Sequence, residues 1–179
     1  MFNRLLGAVL AAAAIFVACA DASAHVVLDV REAKAGSYFK GVFRVGHGCA
    51  GSPTIRVAVT IPDGINSARP QPKPGWDIEI VKRKLETPRD IGHGRQIDEV
   101  VSEIVWKGGP LPNAYFDEFA IQMRLPDRAE NGVIHFPVRQ ACESGANNWV
   151  EVPAPDNAQH AHHHGLKFPA PALHLIPKP

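Results

Sequence analysis

The stretch Thr54-Ile-Arg-Val-Ala-Val-Thr-Ile61 decides the class of fold. Its apolar residues alternate with polar or small ones, which is typical of a β-strand with one face in the core. Pro62-Asp-Gly64 then ends the strand as a turn. The pattern predicts an inward face made of Ile55, Val57, Val59 and Ile61, with Thr54, Arg56, Ala58 and Thr60 on the other face.

A second stretch repeats this alternation and stops at Pro126-Asp127. Its apolar positions are Phe119, Ile121, Met123 and Leu125. Similar strands are expected at 26–30, 38–45, 76–82, 97–106, 133–139 and 148–152, with Pro, Gly and Asn in the gaps. No window of about 12 residues after residue 24 carries a helical stripe. The chain is therefore predicted to be all-β, an antiparallel β-sandwich of Greek-key type, similar to immunoglobulin or cupredoxin domains.

The first 24 residues predict a cleaved export signal and not a part of the fold. Arg4 supplies a positive start, and the uncharged apolar run Leu5–Val17 is shorter than the ~20 residues that span a bilayer. Ala22-Ser-Ala24 has the small-x-small pattern that precedes signal cleavage. We therefore expect a mature chain that begins at His25 and is secreted or periplasmic, soluble and without a membrane anchor.

This interpretation divides the chain into a signal peptide at 1–24, one domain at 25–153 and a Pro/His-rich C-terminal extension at 154–179. The extension contains many prolines and is expected to lie along the surface or to be partly disordered. A competing interpretation starts from Cys19, because Phe16-Val-Ala18 before it loosely resembles a lipoprotein cleavage site. Lipidation at Cys19 would deprive His25 of its free amine.

Composition narrows the classes of partner. Without Arg4 and Asp21, the chain carries 18 basic and 17 acidic side chains, so its net charge is close to zero. Nucleic-acid binders normally present a basic stripe, and membrane-surface binders a polybasic cluster or an amphipathic helix. Neither is present in the sequence. Hydrolase and nucleotide-binding motifs are also missing from it.

Cys49 and Cys142 are the two cysteines after the signal. In an oxidising compartment such a pair most often forms one disulfide. The alternative is a soft metal site that uses both thiolates. The long separation along the chain and the export signal favour the disulfide.

His25 has a chemistry of its own if it is the first residue of the mature chain. A free α-amine with a pKa near 8 and the imidazole of the same residue can close one chelate ring around a metal. Nitrogen donors in a tetragonal arrangement suit Cu(II), which also stands at the top of the divalent affinity order. The alternative is that cleavage simply falls before a surface histidine.

An ordered series of motifs resembles the YcnI-like (DUF1775) family of exported copper-binding domains. It opens with His25-Val-Val-Leu-Asp-Val-Arg-Glu32 and covers nearly the whole mature chain with short gaps. It continues through His47-Gly-Cys49, Ile61-Pro-Asp-Gly64, Lys73-Pro-Gly-Trp76, Val105-Trp106, Tyr115-x-Asp-Glu-Phe119, Phe136-Pro-Val138 and Trp149-Val-Glu-Val-Pro153. The resemblance implies a β-sandwich that binds Cu(II) through the amine and one imidazole nitrogen of His25, with Glu32 as carboxylate ligand and Trp149 beside the metal.

Glu32 can bind the same metal ion as His25 only if the chain bends between them. Seven residues of straight strand would separate it from His25 by roughly 23 Å. Shared ligation therefore requires the chain to bend back, and a bulge around Asp29 to Arg31 would allow this. Val30 stands where relatives commonly carry a proline that would favour such a bend.

Other candidates have a structural alternative beside the functional one. Trp76 and Trp106 are expected in the core. His47, in a Gly-rich turn, is expected to be structural, and His93 to be an exposed loop residue. The cluster of His160, His162, His163 and His164 is a possible secondary metal site, either for collecting metal or with adventitious affinity.

The leading hypothesis is an exported copper-binding protein for copper trafficking or homeostasis, and not an enzyme. The resemblance implies another periplasmic copper chaperone or a membrane copper transporter as partner. A second hypothesis is a copper oxidase or monooxygenase, which would need a further histidine from His47, His93 or His135. A third is a metal-free interaction module.

Overall fold

The computed structural model describes residues 25–92, 94–153 and 166–178. His93, the four tail histidines and the expected signal lie outside the described residues. Two sheets carry most of the described chain. The strands of the first, in spatial order, are β1 (Val27–Leu28), β3 (Tyr38–Val45), β8 (Asp117–Arg124) and β5 (Ala68–Pro70). Those of the second are β11 (Ala146–Trp149), β10 (Val138–Cys142), β4 (Thr54–Thr60), β7 (Gln96–Leu111) and β6 (Trp76–Asp90).

A third, smaller sheet has the order β2 (Glu32–Lys34), β12 (Ala172–Ile176) and β9 (Val133–His135). The pairing of β12 with β2 is parallel, and the other pairings in the three sheets are antiparallel. A single 3₁₀ turn, Glu130–Gly132, is the only helical element of the described chain, and no described helix has the length and apolar character to cross a membrane. The all-β prediction is thus confirmed.

One hydrophobic core lies between the sheets. Trp106 of the five-stranded sheet and Phe119 of the four-stranded sheet meet edge to face, with ring centroids 5.4 Å apart. Phe43 meets Phe136 in the same manner at 5.5 Å. Trp106 is fully buried and Trp76 packs partly buried against the core, as expected for anchors. Large aromatic side chains that bury this much surface supply much of the driving force for folding.

Strand β4 differs from the pattern predicted for it at its first two residues. Thr54 is fully buried, whereas Ile55 is 37% exposed. The cause is a β-bulge against β10, where Thr54 pairs with Cys142 and Arg56 pairs with Ala141, so that Ile55 is an extra residue. An extra residue in a strand reverses the side-chain alternation beyond it. The prediction holds for Val57, Val59 and Ile61, and in β8 the expected inward residues are all buried.

Two expected strands are divided because the chain changes sheets. The predicted strand at 133–139 is interrupted at Phe136 and Pro137, where the chain passes from β9 to β10. The predicted strand at 26–30 ends at Leu28, and β2 begins at Glu32 in the three-stranded sheet. Proline has no N–H for a ladder, so Pro137 suits such a crossing point. Strands β6 and β7 run further than predicted, because exposed residues on their extensions carry little hydrophobic alternation.

The C-terminal segment also corrects the sequence-based expectation. Ala172–Ile176 was expected to lie outside the sheets, but it forms the central strand of the three-stranded sheet. Leu173 is fully buried and Leu175 is 8% exposed, so a short period-2 pattern among the prolines faces the core. The region after Pro153 is therefore partly integral to the sandwich.

Candidate metal site at the end of the sandwich

His25 lies two residues before β1 and packs against Trp149, the last residue of β11. The two rings meet edge to face, with centroids 5.2 Å apart and planes at 71°. Trp149 is 2% exposed, and Phe168 packs against it at 5.2 Å. His25 itself is only half-buried. The structure thus brings together two of the residues predicted from the sequence, with one imidazole held at the surface against a buried indole.

Gln140 of β10 fixes the position of this indole. Trp149 Nε1 donates a hydrogen bond to Gln140 Oε1 at 3.3 Å, and Gln140 is itself 2% exposed. Gln140 Nε2 donates to Thr54 Oγ1 and to the backbone carbonyl of His47, both at 2.7 Å. The bulge of β4 against β10 turns Thr54 inward to meet this amide. Buried polar groups satisfied in this way hold one arrangement, because breaking any bond leaves a desolvated group behind.

The turn that carries His47 is tied down at several points. Gly48 N donates to Asn113 Oδ1 at 3.1 Å. Cys49 forms the predicted disulfide with Cys142, and its N–H also points at Cys142 Sγ, 2.9 Å away. A Cβ on Gly48 would collide with the Ser52 carbonyl oxygen, so this position requires glycine. His47 is therefore held on a rigid turn.

Glu32 is the first residue of β2, in the three-stranded sheet. Asp29 N still donates to Val42 O at 3.1 Å, so the chain follows β3 up to Asp29 before it joins the three-stranded sheet. In that sheet Glu32 is exposed and in register with His174. Joint ligation by His25 and Glu32 stays a prediction.

Among residues 25–92, 94–153 and 166–178, no three His, Cys, Asp or Glu side chains are grouped so that they could hold a metal ion. The disulfide also removes the alternative of a thiolate site at Cys49 and Cys142. At this end of the sandwich the His25 imidazole is a nitrogen donor, and at the N-terminus that the sequence predicts its amine would be a second one. The sequence reasoning missed Gln140, because a glutamine inside a strand gives no pattern that distinguishes it from a surface residue.

These features define a small immunoglobulin-like sandwich with a histidine packed on a buried tryptophan at one end. Residues 25–175 match the family model described as "Domain of unknown function (DUF1775)", and the chain belongs to that family. It is similar to a solved structure described as an uncharacterized protein from Nocardia farcinica that reveals an immunoglobulin-like fold. The identity is 25% and the TM-score is 0.61, over 85% of this chain and 98% of that one. No curated protein matches the chain.

Proposed function

We propose that this protein is an exported copper-binding protein that holds Cu(II) at a mature N-terminus beginning with His25. The observation that carries the proposal is the packing of the half-exposed His25 ring on the buried Trp149 ring, 5.2 Å between centroids. Because the amine and the imidazole belong to one residue, a ring held against Trp149 would keep both donors within reach of one ion. An amine and an imidazole of one residue chelate Cu(II) well, because both are nitrogen donors of the kind that this ion prefers.

Trp149 has no metal-donor atom, so its role is to position the His25 ring and to shield it from water. It limits the orientations of the His25 ring and excludes water from one side of it. Preorganised ligands bind metal more tightly because less conformational freedom is lost on binding. The Cys49–Cys142 disulfide supports export, because disulfides persist in oxidising compartments.

An open site with few protein ligands suits the hand-over of copper, since a second protein can approach the ion and compete for it. We therefore propose a role in copper trafficking or homeostasis, with another periplasmic copper chaperone or a membrane copper transporter as partner. Glu32 is the carboxylate ligand predicted from the family resemblance. A Glu32→Gln variant tests this ligand. If Glu32 binds the metal, the protein should lose affinity for Cu(II) when the carboxylate loses its charge.

The test of the proposal is a Cu(II) titration of the full mature chain. The four tail histidines are replaced by alanine in all samples, since their imidazoles would mask a lost primary site. Truncation before His160 is unsuitable because it would remove β12 from the three-stranded sheet. One sample begins at His25, and the matched control carries one extra N-terminal residue.

We expect tight one-to-one binding by the sample that begins at His25 and a loss of at least about tenfold on extension, because the extra residue converts the amine to an amide. Equal binding by both samples would refute the proposal. Absence of binding by both would favour a metal-free interaction module.

A further inference from the structure

We propose that this protein has a second ligand site, which binds an anion that carries two or more phosphate groups. The site is a cleft between the end of the β6–β7 hairpin and the edge of the four-stranded sheet. Four arginines line this cleft: Arg69, Arg89, Arg95 and Arg124. The inference is independent of copper binding, because it uses other residues and needs no metal.

The β6–β7 hairpin extends beyond the five-stranded sheet. Strand β7 pairs with β4 only from Glu103 onwards, whereas its pairing with β6 continues back to Gln96. Residues 82–92 and 94–101 therefore belong to a two-stranded arm. A hairpin of two strands is at best marginally stable in water by itself, so the arm needs contacts with the rest of the protein.

Two polar contacts tie the arm to the loop between β4 and β5. Arg83 forms an ion pair with Asp63, and Arg89 Nη1 donates a hydrogen bond to Asn66 Oδ1 at 2.6 Å. The arm, this loop and the ends of β5 and β8 together enclose a cleft of about 720 Å³. The position of the arm, and with it the shape of the cleft, is thus set by side chains of the loop.

Arg69 of β5 and Arg124 of β8 form the sheet wall of the cleft. Arg69 is in register with Gln122, and the buried Met123 separates Gln122 from Arg124. Arg69 and Arg124 therefore lie on the same outer face as diagonal neighbours, about 7–8 Å apart in a typical antiparallel pair. Tyr38, which is in register with Arg124 on β3, adds a hydroxyl group to this wall.

Arg89 and Arg95 line the opposite wall, on the arm. The side chain of Arg89 is half-buried and that of Arg95 is exposed. In the described part of the chain, eight other Lys and Arg side chains pair with carboxylates, whereas none of the four cleft arginines forms an ion pair. Like charges gathered in this way repel one another, and a bound anion would remove the repulsion.

Two acidic side chains also line the cleft, and both have other partners. Asp90 Oδ1 accepts a hydrogen bond from Gly92 N at 2.7 Å, and Asp127 pairs with Lys178 at 2.6 Å. The hydrogen bond and the charge of Lys178 lower the pKa of Asp127, and Arg124 adds a smaller effect in the same direction. Four positive and two negative side chains give the cleft a net charge of +2, in a chain whose net charge is +1.

The chemistry of the cleft favours phosphate groups. A guanidinium presents a planar fork of N–H donors that matches phosphate oxygens in pairs, and a phosphate ester offers three acceptor oxygens and up to two negative charges. A cleft lined mainly by one sign of charge also concentrates ions of the other sign. Because arginines stand on both walls, a ligand with two or more phosphate groups would contact both and bridge the arm to the sheet.

Calorimetric titration of the metal-free chain that begins at His25 with inorganic tripolyphosphate tests the site. The buffer contains no phosphate, has low ionic strength and is at about pH 8, where the tail histidines are largely uncharged. We expect one-to-one binding. Inorganic phosphate should bind at least about tenfold more weakly, because it can reach only one wall. Equal affinity for the two anions would overturn the inference, and so would absence of tripolyphosphate binding.

The double variant Arg69→Gln/Arg95→Gln removes one exposed cation from each wall, and its affinity for tripolyphosphate should fall at least about tenfold. Arg31→Gln/Lys84→Gln is the matched control, because it removes the same charge from exposed residues that do not line the cleft. The control should keep its affinity within about twofold, since separated surface charges are screened by salt. Equal losses in the two double variants would overturn the inference, because they would show general charge attraction.

Vesicles of phosphatidylcholine and cardiolipin, a lipid with two phosphate groups, distinguish a lipid headgroup from a soluble ligand. Cosedimentation that tripolyphosphate inhibits and that Arg69→Gln/Arg95→Gln abolishes would assign a lipid headgroup as the source of the phosphates. Tripolyphosphate binding without cosedimentation would assign a soluble anion. Cosedimentation that neither the competitor nor the double variant reduces would overturn the site. All of these measurements use metal-free protein, so failure here leaves the proposed copper binding standing.

Discussion

Replacing Gln140 by leucine would test the buried network that supports the candidate site. Leucine has a similar volume, so the main change is the loss of the amide. Trp149 Nε1 would lose its acceptor, and Thr54 Oγ1 and the His47 carbonyl would lose their donor. Each buried polar group left without a partner costs about 1–3 kcal/mol.

Thr54 keeps a second contact with Cys142 Sγ at 3.8 Å, and the His47 carbonyl is near the surface. The indole N–H therefore carries most of the penalty, and we expect a loss of about 2–4 kcal/mol in the free energy of unfolding. With a urea dependence near 2 kcal/mol per molar, the midpoint should fall by about 1–2 M.

The assay is urea unfolding of the metal-free protein, followed by tryptophan fluorescence and by circular dichroism. Gln122→Leu is the matched control, because Gln122 is an exposed glutamine in β8, and it should change stability by no more than about 0.5 kcal/mol. Copper affinity should also fall in Gln140→Leu, since Trp149, which packs on His25, loses its hydrogen-bond acceptor. Equal stability of the two variants would refute the reasoning that this network holds the end of the sandwich together.

Two further predictions concern the frame around the site. Replacing Cys49 and Cys142 together by alanine removes a cross-link between residues 93 apart, which should lower the free energy of unfolding by about 4–5 kcal/mol on the chain-entropy account. Urea unfolding with and without reductant checks this, and a change under about 1 kcal/mol would contradict it. Leu173→Ala should cost about 2–5 kcal/mol because Leu173 is fully buried. Ile176→Ala, at a 47% exposed position of the same strand, is its control, and thermal unfolding in which both variants lose equally would show that β12 does not contribute to the core.

The sequence identified the strands with a regular alternation and failed where the chain changes sheets. The buried positions Phe119, Ile121, Met123 and Leu125 were predicted correctly, because β8 pairs with β3 along its whole length and keeps one face inward. Ile55 was placed on the wrong face, since a bulge depends on the partner strand and not on local pattern. β12 was missed because five residues between prolines carry little periodic signal.

Some residues of the candidate site could likewise be predicted from the sequence and others could not. His25 and Trp149 were predicted as neighbours from the family resemblance, and their rings are in contact. Gln140 and the orientation of His47 could not be found from the sequence. Their importance comes from hydrogen bonds between residues that are 93 positions apart in one case and 9 in the other.

By itself, the sequence determined the class of fold, the pairing of the cysteines and the histidine that faces Trp149. These follow from period-2 hydrophobicity, from the presence of two cysteines and from motifs that occur in order. Only the tertiary structure decided which residues meet at the end of the sandwich. It places Glu32 in the three-stranded sheet after the crossing at Asp29, and it joins the His47 turn to Trp149 because a bulge and a disulfide bring β4, β10 and this turn together around one buried amide.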